Sequence, residues 1–300
     1  MGTPAPPSSD VPAPPRSAGP ASLVGRLGAT GISIPVKGAP DPRIDPPADL
    51  PVERRAVAGL PLDEIDAFAD LPHETQATLA SMARVETLRE DEEVSGFGAV
   101  VILGGEGLIC ATIVDVPAER AERAALIPSK GSLVDGVSLR VVAGAGGVRV
   151  AVWEQGMVDA ALRSCPWVLD ELRATADRLQ ALAGVTMGPL GDLDETTRNL
   201  SVGRLQVRVV APHEQIAEQG GPNPGLAILG AGTIEVRDAS GESDVIHPGE
   251  PIFPGEMLRH EPSPKSAQAG EGGALLLVAD RHLAQELLVS VPPLVEIFSA

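Results

Sequence analysis

Three hundred residues are enough for two domains of ordinary size, and 43% apolar against 21% charged residues lets each build a core. With four Phe, two Trp and no Tyr, those cores are aliphatic. A net charge of −18 lacks the basic surface that a nucleic-acid backbone rewards, no apolar run reaches membrane-spanning length, and the N-terminus has no signal-peptide order, so the sequence predicts a cytoplasmic protein with neither nucleic acid nor membrane insertion.

Residues 1–50 hold 12 of the 29 prolines. A segment of this composition buries too little to offset its ordering, and residues 1–58 are expected to be a disordered tail. Within it, 32–36 (Ile-Ser-Ile-Pro-Val) reads as a short strand laid against a domain. From Leu62 the pattern changes: a helical turn or two over 63–69, then a second helix capped by Asp70 with Pro72 in its first turn. Strand-type runs follow at 93–101, 107–114, 138–142 and 148–153, with Gly104-Gly105 and the 144–147 glycine cluster between them as turns. Short strands with glycine turns indicate an antiparallel sandwich or barrel. Helices over 156–164 and 166–183 close this half, the second with Val168, Leu172, Ala176, Leu179 and Leu182 at helical spacing.

The same order then returns. Asp192-Leu193-Asp194-Glu195 opens a helix with acidic capping residues; strands are expected at 206–210, 225–229 and 232–237, and helices at 281–289 and 293–298. Ile102-Leu103-Gly104 falls on Ile228-Leu229-Gly230 and Ser164-Cys165-Pro166 on Ser290-Val291-Pro292, both 126 positions apart, while Leu71 falls on Leu193 at 122. Matching element order and offset indicate a tandem duplication, with domains at 59–184 and 185–300 and a protease-accessible joint over 183–189.

The chemistry concentrates in residues 249–269. Gly255-Glu256-Met257-Leu258 and Pro264-Lys265-Ser266 grip one small anion from two sides: the Glu256 carboxylate accepts from a sugar hydroxyl, while Lys265 and nearby backbone N–H groups hold a phosphate. This order is similar to the phosphate-binding cassette of the cyclic nucleotide-binding domain family. The stretch 209–220, with Pro212-His213-Glu214 and Gln219-Gly220, resembles the strands before the cassette, as do 225–236 and the Pro248-Gly249-Glu250 turn. The resemblance covers about 190–298; the first copy resembles the family mainly by element order. It implies a mainly β fold with flanking helices, two cyclic-nucleotide-binding-like β-roll or jelly-roll domains in tandem, with cAMP or cGMP as candidate ligand.

The departures weaken that ligand. Pro254 is an extra residue at the turn, and Lys265 stands where the family uses arginine, a point charge replacing a planar fork. The corresponding stretch of the first copy, 130–139, has no Gly-Glu and no cation after proline. Elsewhere, the five His are scattered, His247 and His260 flanking the cassette turn without a metal set; Cys110 and Cys165 read as buried thiols; no catalytic motif occurs. Two readings follow. One is a non-enzymatic regulatory or scaffolding protein acting on a protein partner, a second copy of itself among the candidates, with ligand binding weakened or lost. The other is a nucleotide sensor through the second domain. In both, the closing helices carry the output.

Overall fold

The computed structural model describes residues 51–223 and 225–299. The proline-rich segment up to residue 50 and the strand expected at 32–36 lie outside the described residues. Folded structure begins upstream of the expected boundary at 58: a 3-10 turn, Val52–Arg55, leads into β1 (Ala56–Val57), which pairs with β2 (Leu60–Pro61), and both Arg55 and Val57 are buried. A 3-10 turn (Leu62–Glu64), α1 (Asp66–Ala69) and α2 (His73–Met82) follow; Pro72, not Asp70, stands at the α2 N-cap.

Lobe 1 is an antiparallel sheet of β3 (Arg84–Leu88), β4 (Glu93–Ser95), β5 (Ala99–Ala111), β6 (Pro117–Ala121), β7 (Leu126–Pro128) and β8 (Leu139–Trp153), with β5 and β8 at its centre. Helices α3 (Gln155–Ala161) and α4 (Pro166–Val185) come next, then a 3-10 turn (Pro189–Asp192) and α5 (Glu195–Val202), capped by Asp194, whose side chain accepts from the Thr197 N–H at 3.0 Å. Lobe 2 repeats the plan with β9 (Gln206–Val210), β10 (Gln215–Ala217), β11 (Leu226–Arg237), β12 (Ser243–Ile246), α6 (Pro254–Arg259), β13 (Ser266–Ala279), α7 (Arg281–Ser290) and α8 (Pro293–Ser299). The fold is mainly β: two antiparallel sheets in tandem with flanking helices.

The glycines expected to be turns are bulges inside long strands. β5 runs unbroken through Gly104-Gly105, and β8 through the 144–147 cluster, with register shifts between Ile102 and Gly104 and between Gly105 and Gly107. Lobe 2 repeats both shifts, between Leu229 and Ala231 and between Gly232 and Ile234. Gly105 and Gly232 have φ of 84° and 86°, and a Cβ on either would meet a carbonyl oxygen of the facing strand, Gly147 or Gly273. Only glycine bends a strand this way without strain.

The bulges also reset the repeat. Ile102 N–H donates to Ala125 O and Leu229 N–H to Glu250 O, each at 3.0 Å; Ala124 N–H donates back to Ile102 O and Gly249 N–H to Leu229 O. The structural counterpart of Ile102 is therefore Leu229, 127 positions on, one more than the sequence match suggested. The Cys165–Val291 match at 126 stands: the two have φ of −126° and −130°, each ahead of a proline-started helix.

Three cores fill the described chain. One face of β5 and β8 (Val100, Ile102, Val141, Val150) is continuous through Leu179 and Leu182 of α4 with Ile228, Leu275 and Leu277 of lobe 2 and with α7 and α8. The opposite face of lobe 1 packs Leu60, Phe68, Leu79 and Leu172 around Trp153, whose indole N–H donates to Leu79 O at 2.8 Å. The third core lies within lobe 2 alone: Ala227, Leu229, Ile234, Ala269, Ala274 and Leu276. Since Ile102 belongs to the shared core and its counterpart Leu229 to the private one, the lobes pack head to tail, one face of the first against the opposite face of the second.

The joint is correspondingly closed. Residues 181–185 of α4 are buried, and Gly184 sits so close to Gly230 of β11 that a Cβ would overlap its carbonyl oxygen. Gly188 meets Gly249 in the same backbone-to-backbone way. The described residues fall in one compact unit, and the expected protease-accessible joint at 183–189 gives way to a core that both lobes build.

Candidate functional site

Pro254 explains the cassette's local structure. With its φ already set for a helix, it starts α6 at its first position, and Phe253 before it and His260 after it take left-handed conformations with φ of 47° and 57°. Gly255, Glu256, Met257 and Leu258 are thus one short helix. Met257 and Leu258 point into the shared core, and α6 rests on α8.

Glu256 is engaged on its own helix: Arg259, three residues on, donates from Nη2 to its Oε1 at 2.9 Å and from Nε to Glu261 at 2.8 Å. This guanidinium lies over Gly255, with Nη1 3.1 Å from where a Cβ would stand. Lys265 lies just before β13 and is half-buried. Its charge reaches Asp238 in the β11–β12 hairpin, whose carboxyl is held below its ordinary range first by the Ser240 hydroxyl and, more weakly, by Lys265. Among the described residues Lys265 makes no ion pair. Ser266 opens β13, and its Oγ accepts from the Gln219 N–H at 3.1 Å. The Glu256 carboxylate, which the sequence set on one ligand with the Lys265 ammonium, is engaged by Arg259 instead, and among the described residues no hydrogen bond or ion pair joins it to Lys265.

Lobe 2 does have a cavity, of about 300 Å³, but on another side. Arg208 of β9, Ile216, Ala227, Leu276, Val278 and Leu283 line it, and no cassette residue does. Arg208 at its rim is paired with Glu214 at 2.7 Å.

In lobe 1 the cassette's place, between β7 and β8, is taken by a loop over 129–138 with no helix. It is fastened by α4. Both Asp177 oxygens accept from Ser132, from its N–H and from its Oγ–H, each at 2.6 Å. Gln180 donates from Nε2 to Ser129 O at 2.7 Å. The sequence reading missed Asp177, Gln180 and Arg259; only Arg259 left a signal, its i,i+3 spacing from Glu256.

Between the lobes, Arg120 of β6 forks onto Glu195 of α5 at 2.6 and 2.7 Å and onto Glu106 at 2.9 Å. Arg198 of α5, 3% exposed, donates to Pro117 O at 2.7 Å. Cys110 and Cys165 are buried free thiols, and burial pushes the Cys110 thiol up. Among the described residues no His, Cys, Asp and Glu come together as a metal site, and no helix is long and apolar enough to cross a membrane.

No protein-family model matches the sequence, and no curated protein sequence does. Among solved structures the chain is similar to the regulatory subunit of a cAMP-independent protein kinase A from Trypanosoma brucei, at 15% identity and a TM-score of 0.34, over 78% of this chain and 87% of that one. It is similar to the regulatory domain of Toxoplasma gondii PKA solved with cAMP, at 12% identity and a TM-score of 0.35, over 78% and 94%. A match to the Catabolite Activator Protein of Thermus thermophilus has 20% identity and a TM-score of 0.33, over 39% of this chain and 55% of that one. At these scores the fold reading rests on the strand order and registers described above.

Proposed function

We propose that the protein is a non-enzymatic regulatory or scaffolding protein of two cyclic-nucleotide-binding-like lobes, 59–184 and 185–300, that works through protein contacts with ligand binding weakened or lost. The observation that carries this reading is the state of Glu256. Its Oε1 already accepts a charge-assisted bond from Arg259 at 2.9 Å, so a sugar hydroxyl meets a carboxylate whose charge is partly satisfied and either shares it through Oε2 or displaces that bond. Lobe 1 supports it further, since its corresponding loop carries no Gly-Glu and no cation after proline, and its Lys130 is paired with Asp159 of α3. The output surface lies on the closing helices, where Val289 of α7 and Val295 of α8 stand exposed.

A second reading, a cAMP or cGMP sensor through lobe 2, is favoured by one observation: among the described residues Lys265 makes no ion pair. Titration calorimetry of the full chain separates the two. The proposal expects no heat with cAMP or cGMP at millimolar concentration, and Lys265→Ala shifts stability by no more than about 0.5 kcal/mol, as for a surface charge. Tight binding that Lys265→Ala removes, by the roughly 10- to 150-fold of a lost charge-assisted hydrogen bond, and that Lys265→Arg retains, would establish the sensor instead.

A further inference from the structure

Asp177 is 3% exposed, yet among the described residues no Lys, Arg or His pairs with it. A buried carboxylate without a cation persists only where donors are aimed at it. Here the donors come from one residue, Ser132, through both its N–H and its hydroxyl. The loop is shaped to admit the two α4 side chains: a Cβ on Gly131 would run into the Asp177 carboxylate, and one on Gly136 into the Gln180 amide. Gln180, also 3% exposed, keeps its Oε1 buried and unpartnered while its Nε2 holds Ser129 O. Both side chains thus sit in a polar recess of the loop and not in an apolar seam. A cavity of about 240 Å³ runs alongside, lined by Phe97, Lys130, Val137, Ser138 and Gln180.

We propose that the 129–138 loop of lobe 1 is a carboxylate-binding site whose ligand the chain supplies itself, Asp177 of α4. The chemistry is that of an anion held by one backbone N–H and one hydroxyl, with glycine letting it approach the main chain. The occupant also has a structural consequence. One to two turns further along the same helix, Ala181 and Gly184 lie against Gly230 of lobe 2, so the helix that fills the site also carries the contact between the lobes.

Hydrogen exchange on the full chain, read at the Ser132 amide, tests this. Asp177→Ala should speed exchange there about 10- to 150-fold, the equivalent of one lost charge-assisted bond, while the Leu229 amide inside lobe 2 changes by less than about twofold. Acetate at ~0.1 M, the range that a four-atom ligand needs, should restore protection in this variant, and chloride at equal ionic strength should not. Ser132→Ala keeps the N–H donor and loses only the hydroxyl, so it should speed exchange about 3- to 10-fold, and it keeps the test open if Asp177→Ala does not fold. Unchanged exchange at Ser132, a rise spread evenly over both lobes, or loss of protection that acetate does not restore each overturns the proposal. None of these residues lies in 249–269, so the outcome is independent of whether lobe 2 takes a nucleotide.

Discussion

The two lobes share a strand frame down to the bulges and fill it differently. Val100, Val141 and Val148 of lobe 1 correspond by register to Ala227, Ala267 and Ala274 of lobe 2, and all six are buried. Where lobe 1 has valine, lobe 2 has a methyl, and the 300 Å³ cavity opens beside one of these, Ala227. Their cassettes diverge in the same spirit: lobe 1 keeps an extended loop pinned by α4, while lobe 2 builds a helix that rests on α8. Main-chain geometry, fixed by a few glycines, is what the duplication preserved; side-chain volume is where the copies separated. The exchange runs both ways, since lobe 2 has Leu226, Leu276 and Leu277 where lobe 1 has Ala99, Val150 and Ala151.

The contact between the copies is the place to break this comparison most strongly. Gly184→Val puts side-chain atoms where the Gly230 carbonyl already stands, backbone against backbone, and nothing at that contact can rotate away. We expect a loss of about 3 kcal/mol or more in urea unfolding, at the upper end of overpacking effects. A loss below about 1 kcal/mol would mean that the lobes do not rely on this approach.

Exchanging the interior residues sharpens the comparison. Val100→Ala removes two methyl groups from a filled core and should cost about 2 kcal/mol, transfer and cavity terms together. The reverse change at the matching position, Ala227→Val, extends into the cavity and should leave stability within about 1 kcal/mol of the parent. Equal costs for the two variants would show the lobes to be packed alike.

The smallest effect is a pH dependence of the contact between lobes. The guanidinium of Arg120 holds the Glu195 carboxyl below its ordinary 4.5. A carboxyl depressed on folding stabilises above its unfolded pKa, and the contribution disappears as pH falls through the folded value. Stability should therefore slope downward below about pH 4.5, and Glu195→Gln should flatten part of that slope while changing little at pH 7. Because both side chains are substantially exposed, the effect stays modest and shrinks with added salt. Identical acid limbs in the two proteins would remove this ion pair from the account.

Much of this was legible in the sequence, and the remainder was hidden for identifiable reasons. Helices starting at Pro166 and Pro293 announced themselves by proline at the first turn and apolar residues at helical spacing, and the element order revealed the duplication. Glycine signals a positive φ equally in a hairpin turn and in a bulge, so β5, β8 and β11 were each read as two shorter strands. β13 was passed over because 266–279 alternates only over Ser266-Ala267-Gln268-Ala269 before a glycine-rich stretch and a continuous apolar run. In the cassette, Glu256, Met257 and Leu258 fell together on one helix, but the competition of Arg259 for Glu256 required α6 to exist first. Asp177 was the least legible. An aspartate in the middle of an amphipathic helix reads as a solvated residue, and only the fold brings Ser132, 45 positions earlier, against it.

The core that runs through α4 governs how the chain can be made. A nascent chain that has emerged only through lobe 1 already carries Leu179, Leu182 and Val185, but the lobe 2 side of the core they belong to, Ile228, Leu275 and Leu277, is not yet synthesised. At about 5–20 residues per second, that apolar surface stays bare for several seconds before its partners arrive. The earlier copy must wait for the later one to finish its own interior. Two lobes that repeat one strand plan thus have a single order of assembly, in which the delay between halves is the interval of greatest exposure to aggregation and to chaperones.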